Sequence, residues 1–369
     1  MKKKIKILVI LSTFVCLSYF IFIPVLSGIK YVMDMKEHIM APFNKLKEVK
    51  KEVKDHIPHL KDVNLHDAIV AKKDALIAKK EKFLKEKKLN PLNELPIAEA
   101  KYNELNVGAD NFTSFNKIRT DLGLNPVKEN EAILTAAKNH ALYMVANRKG
   151  LHDEDEGDKL YFADDPEGRM LKAGLSDDDF ETTGEVASSV AEYRPKGKGD
   201  LLENLFEAVY HRFDMLNPDM SEAGLYANSG NNFTALVIDS MVIKGETKLI
   251  GVAYPFDEQK NVRTYFDHQY EIPDPLPELD RTSGFAISFS VGSKHSLDVE
   301  EFTLVKKGES EEIAGKILDQ DDGVTGKNNF AFIPYEKLKA GTEYIAHIKG
   351  FADETVRIDY TWSFKTRKK

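Results

Sequence analysis

The chain has 369 residues, 42% hydrophobic and 30% charged, with a formal net charge of −8; these are ordinary globular values, with length for two or three domains. The charge is divided: residues 1–100 hold 20 lysines and 12 acids, so the remaining residues carry −16. An acidic body excludes nucleic acid as a partner, and a single cysteine, Cys16, excludes internal disulfides, a thiol nucleophile in the body and a cysteine-ligated zinc site.

Lys2, Lys3, Lys4 and Lys6 precede an uncharged apolar run of 17 residues, Ile7 to Ile23. That pattern is an export signal at the lower edge of bilayer-spanning length. Pro24, Ser27 and Gly28 fit a cleavage region, while the length fits an uncleaved anchor with the lysines inside. Residues 1–30 are therefore a signal peptide or a signal-anchor, and either one takes the body out of the cytoplasm.

Residues 31–100 read as a basic helical stalk and linker. Ile39, Phe43, Leu46, Val53, Ile57 and Leu60 trace one stripe, Pro58 interrupts it, and Ile69, Leu76 and Phe83 resume it at seven-residue intervals. Such a segment is either a solvated spacer or a basic surface against anionic wall polymer or lipid headgroups. Asn90, Pro91 and Pro96 mark a linker.

The first compact domain is expected over 101–254. Asp110 can cap a helix carrying Phe112, Phe115, Ile118 and Leu122, ended by Gly123. A second helix is expected from about Asn130 to Arg148, with His140 inside its apolar stripe as a buried structural histidine. The segment 150–186 opens with Gly150, Leu151 and His152 and is strongly acidic, without the spacing of an EF-hand loop. Glu185 opens a β-capable stretch, Val186 to Val190. Leu202, Leu205, Phe206, Val209 and Phe213 predict another amphipathic helix, which places His211 on its polar side. Phe233 to Val242 and Thr247 to Val252 read as strands with a turn at Gly245.

Pro255, Pro273, Pro275 and Pro277 punctuate an expected linker, 255–280. Beyond it the period changes to two: Phe285, Ile287, Phe289 and Val291 alternate, as do Tyr344, Ala346 and Ile348, and Val356, Ile358, Tyr360, Trp362 and Phe364. Short alternating strands over 281–369 predict an all-β, immunoglobulin-like sandwich without the cysteine pair of antibody domains. The fold class is thus α+β followed by all-β.

His152, Glu185 and His211, with an acid close after His152, form a candidate cluster of imidazoles and carboxylates. These groups suit a divalent metal such as zinc, or general acid–base work. The ordered motifs FNKIR, LGLNPV, AAKNHALYM, GLHDE, DPEGRMLKAG, TTGEV and YHRFDMLNP, over about 105–253, resemble the bacterial branch of the CAP superfamily (cysteine-rich secretory proteins, antigen 5 and pathogenesis-related 1; the SCP domain). The resemblance implies an α-β-α sandwich whose cleft is lined by two histidines and two acids. Carried over, the histidines are His152 and His211, one acid is Glu185, and the other is Glu154, with Glu156 as the alternative. His152, His211 and Glu185 are the candidate metal set. Tyr210-His211-Arg212 departs from the family's GHY context, and the disulfides of eukaryotic relatives are absent.

The expected function is non-enzymatic binding of an envelope component, lipid or protein at the outer face of the cell membrane or after secretion. The alternative is a metal-assisted, protease-like hydrolase using the His/Glu cluster. No GxSxG elbow and no HExxH pair is present.

Overall fold

The computed structural model describes residues 94–191 and 200–368. The export segment and nearly all of the expected stalk lie outside the described residues. Among the described residues no helix is long and apolar enough to cross a membrane.

The chain is mixed α and β. Helix α1, Phe112–Asp121, is capped by the Asn111 side chain, which accepts from Ser114 N. Asp110, the expected cap, instead accepts from Leu202 N at 2.9 Å. Strand β1, Lys128–Glu129, leads into α2, Glu131–Asn147. Asn130 caps α2 through Ala132 N and Ile133 N, and Arg148 ends it in the left-handed region at φ 54°. Helix α3, Pro166–Lys172, is capped by Asp165 with a proline in its first turn. Strand β2, Phe180–Val190, starts earlier than its apolar stretch suggested.

The single helix expected around His211 is two: α4, Asp200–Glu207, and α5, Val209–Met215. Ala208 between them is extended, at φ −76° and ψ 126°. The apolar stripe survives the break, because Leu202, Leu205, Phe206, Val209 and Phe213 are all buried.

Strands β3, Glu222–Gly230, and β4, Phe233–Ile243, complete a sheet in the order β1-β3-β4-β2. Successive residues of β4 face opposite ways. Phe233, Ala235 and Val237 pack with Ala137, Ala141 and Met144 of α2. Leu236 and Ile238 join the core that includes Phe115 and Ile118 of α1 and Leu202 and Phe206 of α4. Helices therefore cover both faces. Gly224 lets α2 lie directly on β3, since a Cβ there would stand 2.2 Å from Leu134 N.

The segment expected as a linker, 255–280, is built into the second half. Strand β5, Val252–Tyr254, already belongs to it and pairs with β9, Ile287–Ser290. Strands β6, Gln259–Val262, and β7, Tyr265–Phe266, follow, and β7 pairs with β8, Ser283–Gly284. The prolines end elements here, but Tyr254, Phe256, Val262, Phe266 and Leu276 are buried and fasten the segment down. Of the expected strand Thr247–Val252, only the last residue is in a strand.

The remaining strands are β10, Leu297–Lys306; β11, Gly315–Leu318; β12, Asn329–Pro334; β13, Glu343–Ala352; and β14, Val356–Thr366. They form two four-stranded sheets, β10-β13-β14-β6 and β11-β12-β9-β5. The sheets pack face to face through aromatics: Phe302 stands 5.9 Å from Phe332 and Trp362 stands 6.4 Å from Phe289, centroid to centroid. One hydrophobic core runs from α1 and α4 through Tyr254 and Phe285 to Trp362. Residues 94–98, expected at the end of a linker, also lie on this body: Leu95 N donates to Arg357 O and Ala98 N to Gly251 O.

Candidate functional site

Two structural elements present the first imidazole. The turn after α2 carries His152, and β2, at the edge of its sheet, carries Glu185. His152 Nδ1 donates to Glu185 Oε1 at 2.8 Å; the imidazole is 51% exposed while the carboxylate is 1% exposed. The hydrogen bond from His152, with the nearby charge, raises the His152 pKa against a smaller opposing effect of burial. Burial works against ionisation of Glu185, but the bond from His152 and the charges of His140 and Arg169 outweigh it and lower its pKa to about 2.

Beneath this pair lies a buried ionic network. Arg169 of α3 gives Nη2 to Glu185 Oε2 at 2.6 Å, and its Nη1 is 3.8 Å from Glu154 Oε1. His140 of α2 is fully buried, as expected, and it places Nδ1 2.9 Å from Glu154 Oε1 and Nε2 3.0 Å from Leu151 O. Both of its ring nitrogens are thus engaged by oxygen atoms. Glu154 also accepts from Phe162 N at 2.6 Å. Of the two acids left open by the sequence, Glu154 is buried and Glu156 is exposed. Glu154 therefore belongs to the floor of the site and not to a solvent-facing cleft lining.

His211 is held by a different carboxylate. Its Nδ1 is 3.1 Å from Glu271 Oε2, and Glu271 Oε1 accepts from Tyr210 N at 3.1 Å. One carboxylate thus orients the imidazole and satisfies a free amide in the first turn of α5. Glu271 is 3% exposed and comes from the segment expected to be a linker. The neighbouring Arg212 anchors the same helix to the sandwich, donating to Ala286 O at 2.8 Å and to Ser288 Oγ at 3.1 Å, with its guanidinium 4.9 Å from the Tyr254 ring centroid.

The donors do not fit a divalent metal. Among the described residues no three His, Cys, Asp or Glu side chains gather as a ligand set, and the expected set of His152, Glu185 and His211 is not formed. Glu185 has both oxygens engaged, one by an imidazole and one by a guanidinium whose positive charge repels a second cation. A cavity of about 530 Å³ opens away from both histidines, between residues 94–100, Asp257, Glu258 and β14.

Sequence reasoning missed Arg169, Asp239 and Glu271. Arg169 stood in the quoted DPEGRMLKAG motif but was given no role. Glu271 carried no local signal, since its partner lies 60 residues away.

Residues 112–240 match the CAP family, the cysteine-rich secretory protein family. The CAP match covers α1 to β4 and stops short of Glu271 and the sandwich. Two solved structures are similar to part of the chain. One is an outer surface protein from Borrelia burgdorferi, with 20% identity over 36% of this chain and 90% of that one, at a TM-score of 0.30. The other is an extracellular protein containing a SCP domain from Bacillus anthracis str. Ames, with 19% identity over 36% of this chain and a TM-score of 0.27. The chain spans 39% of the length of this second protein. No curated protein matches.

Proposed function

We propose that this chain is an exported, cell-surface protein that binds an envelope component, lipid or protein through the face bearing His152 and His211, without catalysing a reaction. The observation that carries the reading is the pair of tethered imidazoles. Each holds Nδ1 against a buried carboxylate, and both side chains remain open to solvent, at 51% and 21%. A tethered ring forms intermolecular hydrogen bonds at a lower entropic cost than a free one. On the His211 side, Tyr270 and Ile272 flank Glu271 in sequence and are 75% and 80% exposed, which adds apolar contact area. The metal-assisted hydrolase has no such support, because Glu185 is committed to His152 and Arg169.

The strand arrangement supports an immunoglobulin-like reading of the second half. Its first strand is divided between the sheets: β5 pairs antiparallel with β9, and β6 pairs parallel with β14. Export and membrane attachment rest on the sequence of residues 1–30 alone.

The test is co-sedimentation of residues 94–369 with purified cell-envelope fragments, omitting the apolar run that would itself bind lipid. The variant His152→Ala, His211→Ala is expected to bind at least about tenfold more weakly, equivalent to roughly 1.4 kcal/mol. Unchanged binding by the folded double variant would exclude this face.

A further inference from the structure

Asp239 lies on β4 directly across from Glu185 in the antiparallel register of β2 and β4. It is fully buried, and neither of its carboxyl oxygens meets a hydrogen-bond donor. The residue facing it from β3 is Gly224, which brings no side chain. The charged groups around it are Glu185 from β2, Arg169 from α3, Glu154 from the segment before α3, and His140 from α2.

Acid already crowds this network. One guanidinium, Arg169, stands with the His140 imidazole against two carboxylates, Glu154 and Glu185, all at 0–1% side-chain exposure. An ionised Asp239 would be a third buried anion, set against a second carboxylate with no donor of its own. Such a charge is costly in a buried site, and a pair of close carboxyls relieves the cost by keeping one proton between them.

We propose that Asp239 is a neutral carboxylic acid that donates its proton in a hydrogen bond to Glu185, so that Asp239, Glu185 and His152 form one hydrogen-bonded relay from the sheet interior to solvent. Burial and the neighbouring Glu185 both push the Asp239 pKa well above the usual carboxylate range, in the same direction as the geometry. Asp239 acts through Glu185 and is a positioning residue. Its donated bond, with that of Arg169, holds the Glu185 carboxylate aligned on His152 Nδ1. The relay stands whether or not the exposed face binds an envelope component, and its test uses no ligand.

The test is carbon NMR of the full-length protein, labelled with ¹³C at the aspartate side-chain carboxyls, at about pH 8, above the ordinary imidazole range. One aspartate resonance is expected at the position of a protonated acid, and it is lost in Asp239→Asn. That variant keeps the shape and supplies an amide donor, so its thermal midpoint and the His152 titration should stay at wild-type values. Asp239→Leu supplies no donor and should shift the His152 titration. A wild-type spectrum with every aspartate ionised would overturn the proposal, without depending on the folding of any variant. Disappearance of the resonance in another aspartate variant but not in Asp239→Asn would overturn it equally.

Discussion

His152 shows how one contact sets a residue's pH behaviour. Its bond to Glu185 raises its folded pKa above the unfolded value of 6.5. The stabilisation from that bond is therefore fully present below about pH 6.5 and is lost as pH rises through the folded pKa. We expect His152→Ala to lower the urea midpoint more at about pH 5.5 than at about pH 8.5, because the stabilisation declines as pH rises through the raised folded pKa. An equal loss at both values would mean that Glu185 does not hold the charged ring. Glu185→Gln would leave the buried Arg169 guanidinium with only the more distant Glu154 carboxylate, at a cost of about 3 kcal/mol in the same measurement. Glu154 and Glu156 illustrate a limit of single-residue reading. Two residues apart in an acidic run, they look alike, and only the contacts of Glu154 with His140 and Phe162 N separate them.

At the scale of elements, the packing of α2 on β3 and β4 places His140 beneath the site. That approach is close enough to require glycine at 224, where an added Cβ would also meet Leu134 Cα at 2.4 Å and Ile133 C at 2.6 Å. These are backbone atoms that cannot swing aside, so Gly224→Ala forces α2 away from the sheet and is expected to cost about 1–3 kcal/mol or more by denaturant titration. A variant as stable as wild type would mean that the helix has room to move. Helix α5 is governed by a different rule. Short as it is, it is held by contacts from outside the CAP match: Glu271 at Tyr210 N, and Ala286 and Ser288 at Arg212. These contacts explain why a continuous amphipathic pattern folds as two helices. The stripe specifies which face is buried, whereas the break at Ala208 follows from where the sandwich holds the second helix.

Over the described body, the hydrophobic core does not stop between the CAP match and the sandwich. Phe206 packs edge-on against Tyr254 at 4.8 Å, and Tyr254 lies 6.1 Å from Phe285. A chain ended at Ala253 would lose these partners, Glu271 and every strand from β6 onward. We expect it to show no cooperative thermal transition, whereas the full-length chain melts with its CAP match and sandwich together. A sharp transition and native near-ultraviolet dichroism from the shortened chain would establish an independent CAP unit. The same continuity makes truncation unsuitable for assigning a binding activity to one half.

Several features could be read from the order of residues alone. Helix α2 and its start were legible because the apolar period and Asn130 agree, and strands β13 and β14 because alternation needs only local spacing. The pairing of His152 with Glu185 was prepared by the resemblance to the CAP motifs, which named both residues. Tertiary structure decided the rest, because the deciding partners are distant along the chain. Strand β3 was missed: Glu222–Gly230 has no regular apolar alternation and carries glycine at 224 and 230, and it becomes a strand by pairing with β4 and lying under α2. His211 takes its carboxylate partner, Glu271, from 60 residues along the chain, and Asp239 looked like any polar strand position until its register set it against Glu185. Local periodicity records which face of a segment is buried. It carries no record of which charge, 54 or 60 residues away, will be buried against it, and in this protein those charges make the site.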